Sequence, residues 1–456
     1  TLQTSIDTLD KQLDALDRNA SLNQINWEVA DRSTDGEIQN GVTFRLTVGE
    51  ITLTKTFHLR RLSDANVDLI TTGTDPASLV DRLPVAYQLD FSFTLKNNGS
   101  KPTDLAYHLQ GPVGLPLEDL DNSRYASSIK WAKQAGSQIE VVDAISSADV
   151  AETEDENERQ QQPAETWHYV GVDVQYFAAL LFPSTEQVQQ SLEQNLSASP
   201  RGYLAHAQPQ LVYRDSKSTP YVHASVVLTS HDIELDPGES VTHSYTLYTG
   251  PKRPQLLTPL KAQDVLDVTN IFWIGKHISR AMLYFLGVIH SLVPGLGYGF
   301  AIIVLTISVR LGMHPLTRKQ ALSAKIMKDL KPQIEQLKEK HGDDKQAFGR
   351  AQMALFKKHN YNPFSGCLPI IVQLPIFIGL YQALGSSVDL RRASFLYIDN
   401  LAGPDRLFHL GFEIPYLGPD FNLLPLVTVV LYLLNNRMFM PPPTTDEAAM
   451  QQKMMN

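Results

Sequence analysis

The residue with the clearest chemical meaning is an arginine inside a long apolar run. Arg310 directly follows the run FAIIVLTISV, and Leu311 and Met313 continue the apolar character beyond it. If this segment spans a membrane, a rise of about 1.5 Å per residue places Arg310 roughly 20 Å from Gly297, within a hydrocarbon core about 30 Å thick. A guanidinium at that depth costs on the order of 2.5–3.5 kcal/mol. The charge must therefore face water, a partner group or the lipid headgroups.

Polar side chains in the apolar segments 297–316, 363–387 and 421–440 can share a site with Arg310. Thr306 lies one helical turn before it on the same face. No Asp or Glu occurs in these three segments, so they offer Arg310 no ion-pair partner. We favour a water-filled groove; the alternative is that the long side chain reaches the cytoplasmic headgroups. The candidate groove residues are Arg310, Thr306, Gln373, Tyr381 and Asn435.

The chain carries no motif for catalysis, metal binding or nucleotide binding. It has no GxxxxGK[ST], HExxH or CxxC sequence, and its single cysteine, Cys367, excludes an intrachain disulfide. We therefore predict no catalytic residue, cofactor or metal, and a protein that is not an enzyme. Two rival functions stay open. Arg310 is compatible with an anion transporter, and scattered polar residues in the first half are compatible with a carbohydrate-binding, membrane-anchored enzyme (His108, His223, His231 and Glu239).

The charge distribution divides the chain into two halves. Residues 1–250 carry 17 Lys and Arg against 35 Asp and Glu, whereas residues 251–456 carry 22 against 14. An acidic half joined to a basic, strongly apolar half indicates that the two halves lie in different surroundings.

The acidic half alternates apolar and polar residues with a period of two. Strands without intervening helices predict an antiparallel β-sandwich over 25–250. Residues 1–24 are predicted to hold a short amphipathic helix, which either leads in from a membrane anchor or caps the sandwich. The clearest strand patterns are VTFRLTV (42–48), ITLTKTFHL (51–59), YQLDFSFTL (87–95), YVHASVVLT (221–229) and THSYTLYT (242–249).

The basic half has the pattern of a membrane-embedded helical domain. Three apolar segments approach the roughly 20 residues that a spanning helix needs. Before them, residues 251–296 combine a connector with an amphipathic helix, which we expect to lie in the membrane interface or, alternatively, to be a buried core helix. The predicted apolar side of that helix is formed by Ile274, Ile278, Met282, Phe285 and Ile289.

Basic residues predict the orientation in the membrane. The segment 317–362 holds eleven Lys and Arg against five acids, and 388–420 holds three against five. Because basic loops stay in the cytoplasm, we place 317–362 and the tail 441–456 inside, and 388–420 and the β-domain outside.

Two short helices joined by a turn at Gly342 are predicted within 317–362. Their basic surface is expected to contact anionic lipids or ribosomal RNA, the alternative being a merely solvated loop. Apolar residues at helical spacing mark the first helix (Ala324, Met327, Leu330, Ile334 and Leu337), and the second helix is predicted to run through Phe348, Met353 and Phe356. The candidate hairpin contacts are Arg318, Lys319, Lys325, Lys328, Lys345 and Arg350.

Several motifs closely resemble the YidC/Oxa1/Alb3 family of membrane protein insertases. In the basic half these are VRLGMHPLTRKQ (309–320), GDDKQ (342–346), NPFSGCLPIIVQLPIFIGLY (362–381) and SVDLRRASF (387–395). In the acidic half, WHYVGVDVQYFAALLFP (167–183) and YTLYTGPK (245–252) resemble the outer domain of the bacterial type, which has a large periplasmic domain.

This resemblance implies a multi-domain, multi-pass protein of the bacterial inner membrane. It implies a periplasmic β-supersandwich, an interfacial helix and five core helices that enclose a hydrophilic groove open to cytoplasm and lipid. Arg310 would be the groove arginine, and 317–360 the cytoplasmic hairpin. The expected partners are nascent membrane proteins, the Sec translocon, the ribosome and anionic lipids. We expect an N-terminal anchor and two further core helices to lie outside the 456 residues.

Overall fold

A computed structural model describes most of the chain and divides it into two units, Thr1–Val268 and Thr269–Asn456. The predicted tail 441–456 and, apart from Leu22, the predicted lead-in helix 1–24 lie outside the described residues. The described residues are 22, 25–35, 38–60, 87–113, 115, 127–135, 138–153, 167–184, 203–214, 222–266, 273–292, 294–342, 344–359, 361, 368–414 and 418–439.

The first unit is built almost entirely from antiparallel strands. They are β1 (Glu28–Asp35), β2 (Ile38–Val48), β3 (Ile51–Leu59), β4 (Gln88–Asn97), β5 (Thr103–Leu105), β6 (His108–Gln110), β7 (Ser128–Ala135), β8 (Gln138–Ser146), β9 (Trp167–Asp173), β10 (Phe177–Pro183), β11 (Leu204–Arg214), β12 (Val222–Ser230), β13 (Ile233–Leu235) and β14 (Ser240–Pro251), with short helices α1 (Ser147–Glu152) and α2 (Pro254–Leu257). A nine-stranded sheet has the order β1-β2-β3-β4-β14-β10-β9-β7-β8, a three-stranded sheet the order β11-β12-β6, and β13 pairs with β5.

Alternation of side chains explains why these segments form strands. In β3, Ile51 and Leu53 are buried, whereas Thr52 between them is half-buried. The register of β3 with β4 places Leu53 opposite Leu95 and Thr52 opposite Lys96. Apolar residues therefore meet on one face of the sheet and polar residues on the other, as a half-buried antiparallel sheet requires.

Side chains from two of the sheets share one buried cluster. Ile129, Trp131 and Val170 come from the nine-stranded sheet, and Ala224 and Val226 from the three-stranded sheet. Burying an aromatic or branched side chain contributes on the order of 1.5–3 kcal/mol. The β-rich first unit agrees with the fold class predicted for the acidic half.

A buried ion pair joins the ends of three strands of the nine-stranded sheet. Lys252, directly after β14, places Nζ 2.7 Å from a carboxylate oxygen of Asp173 at the end of β9. The same ammonium group donates to the carbonyl oxygen of Val174 at 3.2 Å, and the Ser128 hydroxyl of β7 donates to the other oxygen of Asp173. These hydrogen bonds offset the large free-energy cost of removing two charges from water.

Replacing Lys252 is expected to leave the Asp173 carboxylate buried without its counter-ion. Lys252→Met should lower the free energy of unfolding by about 3–5 kcal/mol, measured by urea unfolding of the full chain with tryptophan fluorescence. The matched control is Lys133→Met, which breaks a more exposed pair with Glu140 (3.6 Å) and should cost less than about 1 kcal/mol. Equal losses for the two variants would contradict a structural role for the buried pair.

The second unit is mainly helical, in agreement with the fold class predicted for the basic half. Its elements are α3 (Trp273–Leu292), α4 (Gly297–His341), α5 (Lys345–Lys358), α6 (Leu368–Ser386), the strands β15 (Phe408–Ile414) and β16 (Gly418–Phe421), and α7 (Leu423–Phe439). The 45 residues of α4 extend roughly 68 Å at about 1.5 Å per residue. The predicted span 297–316 and the first predicted hairpin helix are therefore one continuous helix.

Side chains of α3 and α4 share a buried cluster. Leu286 and Ile289 of α3 are buried there together with Ala301 and Leu305 of α4. Phe285 is 42% exposed, because consecutive residues of a helix are rotated by about 100° and only Leu286 of the two faces the cluster. The interfacial position of this helix stays a prediction. The side chain of Ile274 lies outside the described residues.

α4 and α5 pack together through part of the predicted apolar set. Leu330 and Ile334 of α4 are buried against Phe356, and Phe348 packs on the same cluster. Met353, on the predicted second helix, does not join this cluster, since its side chain is 62% exposed. It lies five residues after Phe348, a rotation of about 140° that turns it away from α4.

The first turn of α7 is capped by an aspartate distant in sequence. One Asp405 oxygen accepts the backbone N–H groups of Leu423 and Leu424, each at 2.8 Å, and the Tyr397 hydroxyl at 3.0 Å. Burial alone raises the pKa of Asp405, but these donors outweigh burial and hold it below the ordinary value. The carboxylate replaces the side-chain cap that a helix N-terminus needs.

The cap predicts a specific pH dependence of stability. Since the folded-state pKa is depressed, the stabilisation is complete above the unfolded pKa of about 3.9 and is lost as the pH falls through the folded pKa. Asp405→Asn should lower the free energy of unfolding by about 1–2 kcal/mol at pH 7 and at pH 5, and by progressively less below pH 4.

Thermal unfolding of the two proteins across this pH range measures the difference. The exposed Asp399 provides the control, since Asp399→Asn should change stability by less than about 0.5 kcal/mol. A loss for Asp405→Asn that grows on acidification would contradict the capping role.

Candidate functional site

The helix that carries Arg310 has the length and hydropathy of a membrane span. Within the described part of the chain, one helix meets both criteria, Gly297–Pro315, with a mean hydropathy of 1.4 over a window of which 17% is buried. A core helix of a soluble protein would be mostly buried, so this apolar surface faces outward. A shorter apolar helix covers Leu423–Asn435. The predicted spans 363–387 and 421–440 stay predictions.

Arg310 and Thr306 lie on the outward face of α4. The neighbouring apolar side chains on that face are Ile307 (52% exposed) and Leu311 (68%). Thr306 donates its hydroxyl hydrogen to the carbonyl oxygen of Ile302 at 2.8 Å, which leaves its oxygen lone pairs available as acceptors. Among the described residues no carboxylate lies within ion-pair distance of Arg310.

The other predicted groove residues are also exposed, on two further helices. Gln373 and Tyr381 belong to α6, and Asn435 belongs to α7. Across the part of the chain that the structure describes, no hydrogen bond or ion pair joins any two of the five groove residues. Their assembly into one groove therefore stays a prediction.

The basic residues predicted as hairpin contacts are distributed over α4 and α5. Arg318, Lys325, Lys328 and Arg350 are exposed, whereas the side chains of Lys319 and Lys345 lie outside the described residues. The Asp344 carboxylate accepts the backbone N–H groups of Gln346 and Ala347, at 2.9 and 3.0 Å, and thereby caps α5. The cap fixes where the chain reverses between the two helices.

The four polar residues of the carbohydrate alternative do not form a site. Glu239 accepts a hydrogen bond from the backbone N–H of Asp236 at 2.9 Å, and the His223 ring packs 5.9 Å from that of Tyr213. His108 lies on β6, and burial lowers the pKa of His231. None of the four lines the cleft of the first unit that contains Arg60 and Asp90. Within the described residues no group of three potential metal ligands occurs.

That cleft, of about 800 Å³, contains a polar network that the sequence pattern did not indicate. The Arg60 guanidinium donates to both oxygens of Asp90 at 2.9 Å, to Gln88 at 2.8 Å and to Thr246 at 3.0 Å. The charges of Arg60 and Asp90 therefore compensate each other. The hydrogen-bond partners of Arg60 lie 28 to 186 positions away along the chain, so the spacing of residues gave no signal for this network.

The most strongly shifted titratable groups lie in a buried aromatic cluster. The Tyr107 hydroxyl is 2.6 Å from Nδ1 of His243 and 2.8 Å from the hydroxyl of Tyr245, and the Tyr203 ring stacks on His243 at 4.1 Å. Burial lowers the pKa of His243 to about 4 and raises that of Tyr245. Shifted pKa values often mark active sites, but these four buried groups bond to one another and have a structural explanation.

Comparison with known proteins accounts for both units. The family model described as "YidC periplasmic domain" matches residues 82–279, and the one described as "60Kd inner membrane protein" matches residues 288–456. The chain belongs to the YidC family. The family consists of inner membrane proteins with a periplasmic domain, and the match agrees with the division into a β-rich and a helical unit.

Curated members of the YidC family are similar to part of this chain. The proteins named "Membrane protein insertase YidC" from Pseudoalteromonas atlantica and Shewanella amazonensis are 40% identical over 196 residues and 39% identical over 183 residues. A third, from Geobacter metallireducens, is 36% identical over 195 residues. These matches cover 43%, 40% and 41% of this chain, and only 35%, 32% and 35% of the relatives' lengths.

Solved structures show only weak likeness. A galactose mutarotase-like protein from Lactobacillus casei gives a TM-score of 0.27 at 11% identity, covering 49% of this chain and 73% of that chain. A galactose mutarotase related enzyme from Lactobacillus acidophilus gives 0.28 at 8% identity, covering 49% and 71%. Scores this low carry no argument, and nothing in the comparisons supports the carbohydrate or anion-transport alternatives.

Proposed function

We propose that this YidC-family protein inserts nascent membrane proteins into the lipid bilayer and helps them to fold. The observation that carries the proposal is Arg310, an exposed cation on the described helix that is long and apolar enough to span a membrane. An unpaired guanidinium at that depth is costly unless it faces water. A hydrophilic groove open to the cytoplasm and to lipid lowers that free-energy cost, because it keeps the guanidinium hydrated.

The proposed topology follows the charge and the fold of the two units. The acidic β-rich unit is a supersandwich in the periplasm, and the helical unit is multi-pass in the bacterial inner membrane, with spans at 297–316, 363–387 and 421–440. α4 then begins at the periplasmic side and continues past the bilayer, which makes the basic α4–α5 hairpin cytoplasmic. The excess of Lys and Arg in 317–362 supports this orientation.

The proposed mechanism uses binding and no covalent chemistry. The polar flank of a nascent chain enters the groove, where Arg310 attracts its carboxylates and Thr306 accepts hydrogen bonds. Each polar group so satisfied avoids a transfer cost of several kcal/mol into hydrocarbon. The apolar segment of the substrate then moves along outward side chains such as Ile307 and Leu311 into lipid. Its burial contributes roughly 25 cal/mol per Å².

Arg310 is expected to act through its positive charge. The full-length protein is reconstituted in liposomes and given a single-span substrate with an acidic tail that must cross the membrane. Protection of that tail from added protease measures insertion. Arg310→Ala should reduce insertion about tenfold or more, because hydrogen bonds to charged groups are worth about 1.5–3 kcal/mol, whereas Arg310→Lys should retain most of it. Lys340→Ala, an exposed cation further along the same helix, is the matched control.

A second substrate separates charge attraction from a structural defect. With the tail carboxylates replaced by amides, Arg310→Ala and the unsubstituted protein should insert equally well. If Arg310→Ala inserts the acidic substrate as well as the unsubstituted protein does, the guanidinium only reaches the headgroups and the groove mechanism fails.

The basic hairpin is proposed to meet the ribosome and anionic lipids, and the protein to work alone or beside the Sec translocon. Glutamate at Lys325, Lys328 and Arg350 should weaken ribosome binding to the nanodisc-embedded protein and reduce the salt dependence of that binding. The control carries glutamate at three exposed cations of the β-rich unit, Arg32, Lys96 and Lys101. Equal weakening by both triple variants would point to net charge rather than to the hairpin.

A further inference from the structure

A tight turn between α6 and α7 presents a strained and exposed leucine. Phe395 and Ile398 exchange backbone hydrogen bonds of 2.8 and 3.0 Å, so Leu396 and Tyr397 are the two central residues of the turn. Leu396 has φ +54°, in the left-handed region that glycine adopts freely and that branched side chains avoid. Glycine is the usual residue at the first central position of such a turn.

Folding alone does not explain the choice of leucine at this position. The Leu396 side chain is 86% exposed, so packing within the described protein does not offset its backbone strain. An exposed apolar side chain is unfavourable in water. Strain retained at an exposed position indicates that the side chain has a role outside the fold.

The turn is attached to the first residues of two helices. The Tyr397 hydroxyl donates to Asp405, which in turn caps the N-terminus of α7. The Phe395 ring packs so tightly on Gly299 in the first turn of α4 that an added Cβ there would lie 2.2 Å from it. Leu396 is therefore held beside the helix ends at which two outward-facing apolar surfaces begin.

Other side chains of the same segment have the composition of a membrane interface. Phe408 and Phe412 of the β15–β16 hairpin are 51% and 62% exposed. Arg392 and Arg406 are also exposed, and Arg406 lies 3.1 Å from Asp420. Aromatic and apolar residues combined with arginine are typical of the zone between headgroups and acyl chains.

We propose that this segment anchors the protein in the periplasmic leaflet by inserting Leu396, Phe408 and Phe412 at the boundary between phospholipid headgroups and acyl chains. The inserted residues set the depth at which α4 and α7 enter the bilayer, and hence the depth of Arg310. A phospholipid surface fits better than a protein partner because the exposed apolar surface continues directly into the outward face of α7, including Leu424 and Val430. The inference rests on the proposed membrane embedding of the helical unit.

Spin-label depth measurements test the anchor. In a Cys367→Ala background, single cysteines at Leu396 and Phe412 would carry nitroxides in the full-length protein, reconstituted in phosphatidylethanolamine and phosphatidylglycerol vesicles. Collision rates with oxygen, which concentrates in lipid, and with a nickel chelate, which stays in water, give the depth. Labels at Tyr213, exposed on the β-rich unit, and at Val430, on α7, are the aqueous and lipid references.

The expected result is a ratio of oxygen to nickel collisions at Leu396 and Phe412 several-fold above that at Tyr213 and below that at Val430. Ratios equal to Tyr213, with Val430 in lipid, would overturn the anchor and leave the embedding intact. Labels shielded from both oxygen and the nickel chelate would place the segment against protein and would also overturn the proposed anchor. If Val430 itself is aqueous, the proposed embedding fails and the anchor fails with it.

Discussion

The helical unit depends on one constraint, which is that a large part of its apolar surface faces outward. Every described side chain of α7 from Leu424 to Asn435 is exposed, and the membrane-length part of α4 is largely exposed as well. The β-rich unit follows the opposite rule, with Trp131, Tyr169 and Tyr248 fully buried. In the proposed membrane setting this outward apolar surface contacts lipid, where the backbone must satisfy its own hydrogen bonds, as helices do. The length of α4 and the helical form of α7 agree with that requirement.

Polar side chains on this outward surface are the proposed functional groups. Arg310 and Thr306 interrupt an otherwise apolar outward surface, and Thr306 keeps its donor within the helix while its oxygen still accepts. In the proposed insertion mechanism the substrates differ in sequence, so a groove that offers charge and hydration would suit them better than shape-specific contacts. The proposed step makes and breaks no covalent bond.

The β-rich unit is stabilised where its two family-like motifs meet. The motif at 167–183 forms β9 and β10, and the motif at 245–252 forms the end of β14. β10 pairs with both β9 and β14, and the ion pair between Asp173 and Lys252 joins the two motifs. Both motifs therefore lie near the centre of the nine-stranded sheet. The cleft beside them contains the hydrogen-bonded network of Arg60, Asp90, Gln88 and Thr246.

The sequence by itself indicated a β-rich acidic half, a helical basic half and Arg310 as an unusual residue, because periodicity and charge are local properties of the chain. It did not indicate that α4 runs unbroken from Gly297 to His341, since separate apolar and amphipathic patterns do not show whether the backbone continues as one helix between them. Tertiary structure alone decided that β14 lies between β4 and β10, although Thr242 and the Thr94 it faces are 148 residues apart. It also decided that Asp405 caps a helix 18 residues away and that Leu396 adopts a left-handed backbone conformation. These features depend on which surfaces meet in space, and the free energy of such contacts is not encoded in the spacing of residues along the chain.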